Sequence, residues 1–255
     1  MTQHEAGHET PGGTSFGGIW QVPDAQVASG RIPGYVGAVR IGGRVEVRAG
    51  GRMALGADSP AMREDTLFRI ASVTKPIGGA LTLSLVADGV LTLDDPVAGW
   101  LPELASPRVL TSPGAPLEAT TEAARPITVR HLLTMTAGWG AVLEQTPLQA
   151  AMIERGLYPG PLIPTMSADA LTDAQRQQAL PVVGPGGSWG LATGVDVEAA
   201  EPWMAPGRWG WDGGTGTTAY VDPVRGTVGV LLTQRALTGP QDGFGDFWAA
   251  VAAAA

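Results

Sequence analysis

Ser72 and Lys75 are the two residues whose types and spacing most directly suggest covalent chemistry. They lie three residues apart, so a helix that begins here would place both side chains on one face, one turn apart. Pro76 suits the first turn of that helix, because its missing N–H is not needed there. A lysine in a dry pocket loses its proton more readily and can then deprotonate a neighbouring hydroxyl. The pattern therefore predicts a serine nucleophile activated by a lysine.

The residues after this motif predict the helix that carries it. A helix is expected over residues 76–88, with Gly89 as its C-terminal stop, and the apolar run from Ile77 to Val86 predicts that it is deeply buried. A lysine at the start of a buried helix is costly unless another group uses it. By itself, however, Ser-x-x-Lys is more typical of a serine that caps a helix, followed by a surface lysine. The surrounding sequence has to decide between the two interpretations.

Three stretches of sequence, the first of which contains Ser72 and Lys75, resemble a known family. Residues 67–75 (LFRIASVTK) and residues 91–97 (LTLDDPV) resemble the β-lactamase-related serine hydrolases, which include class C β-lactamases, esterases of the same fold and D-amino-acid peptidases. Residues 127–138 (ITVRHLLTMTAG) also resemble the sequence that follows in members of that family. The resemblance covers most of residues 25–145 and about 185–235. It implies that a small ester or amide acylates Ser72 and that no cofactor takes part.

The motif at residues 210–216 (GWDGGTG) resembles the third signature of the same family. The resemblance places three adjacent residues in one wall of the substrate cleft: Trp211, Asp212 and Gly213. It also implies that the backbone N–H groups of Ser72 and Gly214 form an oxyanion hole. A plain hairpin with two glycines is the alternative. The motif offers no cation for a β-lactam carboxylate, which favours an ester as the substrate.

The family's second signature, Tyr-x-Asn, is missing, because the chain contains no asparagine. Of the three tyrosines, Tyr35 and Tyr220 fall in predicted strands and are expected to be packed. Tyr158 or Glu144 could substitute as the base, but nothing in the local sequence orients either one. The sequence also reads as shorter than its relatives. We therefore expect that most of the helical lobe is deleted around Asp169.

The order of predicted elements gives the fold class. A hairpin is expected from residues 34–41 and 44–48 across Gly42-Gly43, then helices, then strands at 207–211, 215–222 and 227–234, then a helix at 244–255. This order predicts an α+β fold. The resemblance implies a β-lactamase-like antiparallel sheet flanked by helices, with a reduced all-helical lobe. The expected division is a disordered tail over 1–18 and one domain over 19–255, its sheet from 34–49 and 187–235 and its helical part from 72–180, shortened near 169.

Composition and charge exclude several partners and sites. A net charge of −8 at pH 7 would repel nucleic acid and anionic membrane surfaces. No apolar run approaches the roughly 18 residues of a membrane span, and the N-terminus does not resemble a signal peptide, so a cytoplasmic location is expected. Residues 4–8 (HEAGH) fit the zinc-protease pattern, but nearby glycine and proline oppose the helix it needs. We therefore predict no metal site.

Three hypotheses for function remain open. The first is a serine hydrolase that acts on an ester or amide through an acyl-enzyme at Ser72. The second is a crippled or non-catalytic family member, which keeps the fold and binds acyl ligands or a partner. The third is an incomplete chain that reaches stability only by self-association through an uncovered helical face.

Overall fold

A seven-stranded antiparallel sheet organises the part of the chain that this computed structural model describes, residues 16–138, 146–154, 171–238 and 243–255. Its strands are β1 (Gly34–Ile41), β2 (Arg44–Gly51), β5 (Gly187–Trp189), β6 (Gly194–Asp196), β7 (Trp209–Gly213), β8 (Thr217–Asp222) and β9 (Thr227–Thr233). They lie in the order β2-β1-β9-β8-β7-β6-β5. Strands β3 (Arg108–Leu110) and β4 (Thr120–Glu122) form a separate two-stranded sheet.

The helices lie before, between and after these strands. They are α1 (Gly17–Ala28), α2 (Thr74–Ala87), α3 (Val129–Leu133), α4 (Pro147–Glu154), α5 (Asp173–Val183) and α6 (Gly245–Ala254). The predicted α+β fold with an antiparallel sheet flanked by helices is confirmed. No helix in the described ranges combines the length and apolarity that a membrane span requires.

The start of the domain differs from the prediction. Phe16 is buried in the main core, and helix α1 begins at Gly17, so residues 16–18 pack with the domain and the predicted tail ends too late. Residues 1–15 and the predicted shortening near 169 lie outside the described residues. The turn between the first two strands is as predicted. Gly42 and Gly43 have φ values of 55° and 83°, the left-handed conformation that a tight two-residue hairpin turn requires.

The main core lies between one face of the sheet and the pair of helices α1 and α6. Trp20 from α1 and Trp248 from α6 pack over strands β1 and β9, close to Leu231. Residues paired directly across neighbouring antiparallel strands point to the same face. Leu231 pairs with Gly37 on β1 and with Thr218 on β8, so all three lie on the face that α1 and α6 cover. We call this the core face of the sheet.

The opposite face of the sheet carries the Ser72 segment and helix α2. The prediction that this helix is deeply buried is wrong. Ile77 is 58% exposed and Leu81 is 65% exposed, while only Lys75 and Gly79 are buried in the whole helix. The apolar sequence correctly indicates a helix, but most of its apolar surface meets no described part of the chain. The buried side of α2 is its first turn, where the candidate site lies.

Candidate active site

Ser72 lies in a single 3-10 turn, residues Ala71–Val73, that leads directly into helix α2. Lys75 follows one turn later, and its Nζ atom lies 2.5 Å from the Ser72 Oγ atom. The lysine side chain is inside the protein, with the residue only 8% exposed. Burial lowers the pKa of Lys75, because removal from water penalises the charged ammonium form. The two residues thus have the proximity and the electrostatics that lysine activation of a serine requires.

The residue before the serine has an unusual backbone conformation. Ala71 has a φ of 44°, in the left-handed region that residues other than glycine rarely adopt. The turn is closed by a hydrogen bond of 3.0 Å from the Val73 N–H to the carbonyl of Ile70. Backbone strain of this kind persists when the surrounding structure fixes it from several sides. Here the β7–β8 hairpin provides the additional contacts.

The β7–β8 hairpin packs against the two residues that precede Ala71. The Thr217 hydroxyl donates a hydrogen bond of 3.0 Å to the Ile70 carbonyl, and the Thr215 hydroxyl donates one to the Arg69 carbonyl. Gly213 approaches so closely that an added Cβ atom would lie 2.5 Å from the Ile70 oxygen. The structure therefore brings together the two halves of the site that the sequence places about 140 residues apart.

The Gly214 backbone stands at the tip of this hairpin. Its carbonyl accepts a hydrogen bond of 2.9 Å from the Leu237 N–H, and a Cβ atom added at Gly214 would meet nothing within 4 Å. A ligand therefore has room to approach this backbone. The oxyanion hole formed by the N–H groups of Ser72 and Gly214 stays a prediction. The segments that carry these two groups are in contact where Gly213 approaches the Ile70 carbonyl.

Trp211 lies on the same side of the sheet as the Ser72 segment. It pairs with Ala219 on β8, two residues from the Gly213–Thr217 pair, so its side chain shares their face. Its ring meets the ring of Trp189 edge to face, with centroids 4.5 Å apart. The Trp189 Nε1 atom is buried and has no hydrogen-bond partner within the described ranges. The position of Trp211 and Gly213 in one wall of the cleft stays a prediction; the register puts both on the Ser72 side of the sheet.

Asp212 does not line the cleft, which corrects the prediction. It pairs with Thr218, whose side chain lies on the core face and accepts a hydrogen bond from Trp248 Nε1. The Asp212 carboxyl therefore points into the protein, away from Ser72. Burial raises its pKa to about 6, opposed by the Thr218 hydrogen bond and by the charge of Arg208, and its Oδ1 atom has no described partner. The physical reason is strand alternation, since neighbours on β7 must point to opposite faces.

The described tyrosines lie on the core face as well. The Tyr35 hydroxyl donates to Asp24 at 2.8 Å, and its ring stacks on Trp20 in the main core. Tyr220 packs edge to face on Trp248, and burial raises the pKa of its hydroxyl above the ordinary value. Neither hydroxyl faces the Ser72 side of the sheet. Tyr158 and Glu144, the weak candidates for a substitute base, lie outside the described residues.

Sequence reasoning missed three contributors to the site: Ala71, Thr215 and Thr217. No local pattern distinguishes these small residues, because their role depends on contacts between residues more than 140 positions apart. Among the described residues, no cluster of histidine and carboxylate side chains could hold a metal ion. His131 instead closes the first turn of α3, where its Nδ1 atom accepts from the Thr128 N–H at 3.1 Å.

Comparisons with known proteins show which family this chain belongs to. A family model described as Beta-lactamase matches residues 21–161, which is more than half of the chain. The esterase EstB of Burkholderia gladioli is 35% identical over 187 residues, covering 72% of this chain and 44% of EstB. Protein Rv1367c of Mycobacterium tuberculosis is 49% identical over 77 residues, covering 30% of this chain and 19% of that protein.

Solved structures agree with the family match. The unliganded simvastatin synthase LovD of Aspergillus terreus superposes with a TM-score of 0.71 at 18% identity, with 91% of this chain and 95% of that chain covered. This likeness concerns the fold alone. The chain spans less than half the length of the curated relatives described above. On the family match, the chain belongs to the β-lactamase family.

Proposed function

We propose that the protein is a serine hydrolase that cleaves an ester or amide through an acyl-enzyme on Ser72. The observation that carries the proposal is the 2.5 Å separation between Lys75 Nζ and Ser72 Oγ, with the lysine buried and its pKa lowered. A neutral amine at that distance is a competent acceptor for the serine proton. The family match and the esterase relative support the same class of chemistry.

The proposed reaction follows from this geometry. The Lys75 amine accepts the hydroxyl proton while the Ser72 oxygen forms a bond to the substrate carbonyl carbon. The Ser72 and Gly214 N–H groups stabilise the resulting oxyanion, a contribution of about 10²–10³ in rate for each donor. The Lys75 ammonium then returns its proton to the departing alcohol or amine, and the acyl group stays on Ser72. Water attacks this ester, and its proton leaves through Lys75, which restores the free serine.

An ester of a small molecule is the substrate that the site favours. Trp211 provides an aromatic ring on the Ser72 side of the sheet and is in edge-to-face contact with the buried Trp189. Asp212 points away from that side, so neither its charge nor a cation in its place is available to a substrate carboxylate. An apolar acyl group is compatible with an aromatic surface, whereas a β-lactam would leave its carboxylate unpaired.

A second candidate is a family member that binds acyl ligands but turns over slowly or not at all. The observation in its favour is that Tyr35 and Tyr220 lie on the core face, remote from Lys75. Within the described residues the lysine has no tyrosine beside it and would serve as base and as acid alone. Loss of one general acid or base costs about 10²–10⁴ in rate.

Labelling with a fluorophosphonate probe, followed by intact mass measurement, tests the proposal. The wild-type chain is expected to gain one adduct, and Ser72→Ala is expected to gain none. Ser84→Ala on the same helix is the matched control and should label like the wild type. Rapid labelling without hydrolysis of short-chain nitrophenyl esters would support the second candidate, and a wild type that gains no adduct would contradict the hydrolase.

A further inference from the structure

We propose that Thr217, together with Thr215, is a positioning residue for the Ser72 nucleophile. These hydroxyls hold the backbone before Ala71, so that the left-handed turn at Ala71 is kept and Ser72 is presented to Lys75. The inference rests on the proposed function for its catalytic consequence, but the geometric claim can be measured without turnover.

The two threonines act on consecutive carbonyl groups. Thr217 is fully buried, and its hydroxyl donates to the Ile70 carbonyl at 3.0 Å. The same carbonyl accepts the Val73 N–H at 3.0 Å, so both lone pairs of this oxygen are used. The Thr215 hydroxyl donates to the preceding carbonyl, that of Arg69. The peptide on the N-terminal side of Ala71 therefore cannot rotate without losing hydrogen bonds on two sides.

Ala71 is the residue that needs this restraint. Its φ of 44° is unfavourable for an alanine, because the Cβ atom crowds the carbonyl oxygen that follows it. Relaxation of this one residue to an ordinary conformation would redirect the chain that carries Ser72. A change of about 1 Å in the position of a reacting group costs on the order of 10²-fold in rate. The threonine contacts thus convert a strained turn into a defined position for the hydroxyl.

The hydroxyl group of Thr217 is separable from the fold of its strand. Strand β8 is held by backbone pairing with β7 on one side, through Gly213, and with β9 on the other, through Leu232. Valine has nearly the same shape as threonine and suits a strand equally well. Thr217→Val therefore removes the hydrogen bond to Ile70 and keeps the strand, whereas Thr217→Ser keeps the donor.

The single lysine of the sequence provides a direct readout. Lys75 is the only lysine in the chain, so a protein grown with ¹³C-labelled lysine gives one side-chain NMR signal from this residue. The position of that signal reports whether Ser72 is beside the amine, and Ser72→Ala gives the value expected when the hydroxyl is absent. We expect the Thr217→Val signal to move toward the Ser72→Ala value, and the Thr217→Ser signal to remain near the wild-type value.

Fluorophosphonate labelling measures the catalytic consequence. We expect Thr217→Val to label Ser72 roughly ten- to hundredfold more slowly than the wild type, and Thr217→Ser to label within about threefold of it. Ala71→Gly removes the cost of the left-handed turn, so the double variant Ala71→Gly with Thr217→Val should recover part of the lost rate. Urea unfolding of the same variants separates this local effect from a general change in stability.

The outcomes separate the two proposals. A wild type that is never labelled contradicts the hydrolase, while a Lys75 signal that moves in Thr217→Val still supports the positioning role. A Thr217→Val variant with wild-type labelling and an unmoved signal overturns the positioning role alone. Should Thr217→Val fail to fold, Thr215→Val at the more exposed end of the hairpin takes its place. We expect its Lys75 signal to shift in the same direction by a smaller amount, and an unshifted signal would contradict the positioning role.

Discussion

The side-chain nitrogen of Lys75 lies 2.5 Å from the hydroxyl oxygen of Ser72, and this lysine is the only one in the chain. All other basic side chains besides the three histidines are arginines, which cannot give up their proton in a protein. A lysine amine can, and burial makes it do so more readily. The one lysine of this sequence therefore lies where the proposed reaction needs a base.

Replacement of this amine should abolish the reaction while the fold is kept. We expect Lys75→Arg to lower the rate of Ser72 labelling by about 10²–10⁴, because a guanidinium cannot accept the serine proton. In the wild type, the rate should rise with pH through a pKa below the ordinary value of 10.5 and then level off. A pH series of labelling rates measures both effects.

Arg63→Lys, at an exposed position, is the control and should change neither the labelling rate nor its pH dependence. Labelling of Lys75→Arg within a few-fold of the wild type would contradict the role of the amine.

Gly213 and Gly214 should respond differently to the same substitution. An alanine at Gly213 places its Cβ 2.5 Å from the Ile70 carbonyl and against the Thr217 hydroxyl, so the hairpin must move away from the Ser72 segment. We expect a loss of about 1–3 kcal/mol in the free energy of unfolding, and a loss of Ser72 labelling. Gly214→Ala meets no atom within 4 Å and should unfold at the wild-type urea concentration. Equal free energies of unfolding for the two variants would show that the β7–β8 hairpin does not approach the Ile70 carbonyl this closely.

The stability of the fold should depend on the charge of Asp212. Its pKa of about 6 in the folded protein is above the ordinary value of 3.8 for an aspartate, so folding favours the protonated form. The associated stability is present below about pH 4 and is lost as the pH rises through 6, an effect of up to about 3 kcal/mol. Asp212→Asn mimics the neutral carboxyl and should be more stable than the wild type at pH 8, with the two alike at pH 4.

Urea unfolding at a series of pH values measures this difference. The exposed Asp65→Asn variant serves as the control and should keep the wild-type loss of stability between pH 4 and 6. The contradicting result is that the wild type and Asp212→Asn show the same pH dependence, with a stability that is constant or rises between pH 4 and 6. That result would mean that the Asp212 carboxyl is in water and not on the core face.

Two leucines with similar sequence surroundings should differ in their contribution to stability. Leu231 on β9 is 1% exposed in the main core, and Leu231→Ala should cost about 2–5 kcal/mol. Leu81 on α2 is 65% exposed, and Leu81→Ala should change the free energy of unfolding by less than about 0.5 kcal/mol. Thermal or urea unfolding compares the two variants. A large loss in Leu81→Ala would mean that this helix face is covered in solution.

Much of the fold follows from local sequence patterns. Alternation with period two predicts the β1–β2 hairpin, and the glycine pair at 42–43 predicts its turn, because only glycine adopts two successive left-handed conformations at little cost. The Ser-x-x-Lys spacing likewise predicts the contact between Ser72 and Lys75, since residues three apart on a helical turn are neighbours whatever surrounds them.

Other features of the site depend on which parts of the chain meet. The sequence places Trp211, Asp212 and Gly213 together, but the strand sends Asp212 to the core face, and only the register with Thr218 fixes which residue goes where. The exposure of α2 was not predictable from its apolar residues, because burial depends on what packs against a helix and not on the helix itself.

The sequence by itself determined the chemistry that is available: Ser72, the single lysine Lys75, the helical turn between them and the family to which the chain belongs. The tertiary structure decided the position of that chemistry. It set Thr217 against the carbonyl of Ile70, across 147 residues of sequence, and so held the strained turn at Ala71 in front of the nucleophile. Contacts between distant segments arise only when the sheet has assembled, and for that reason no local pattern could predict them.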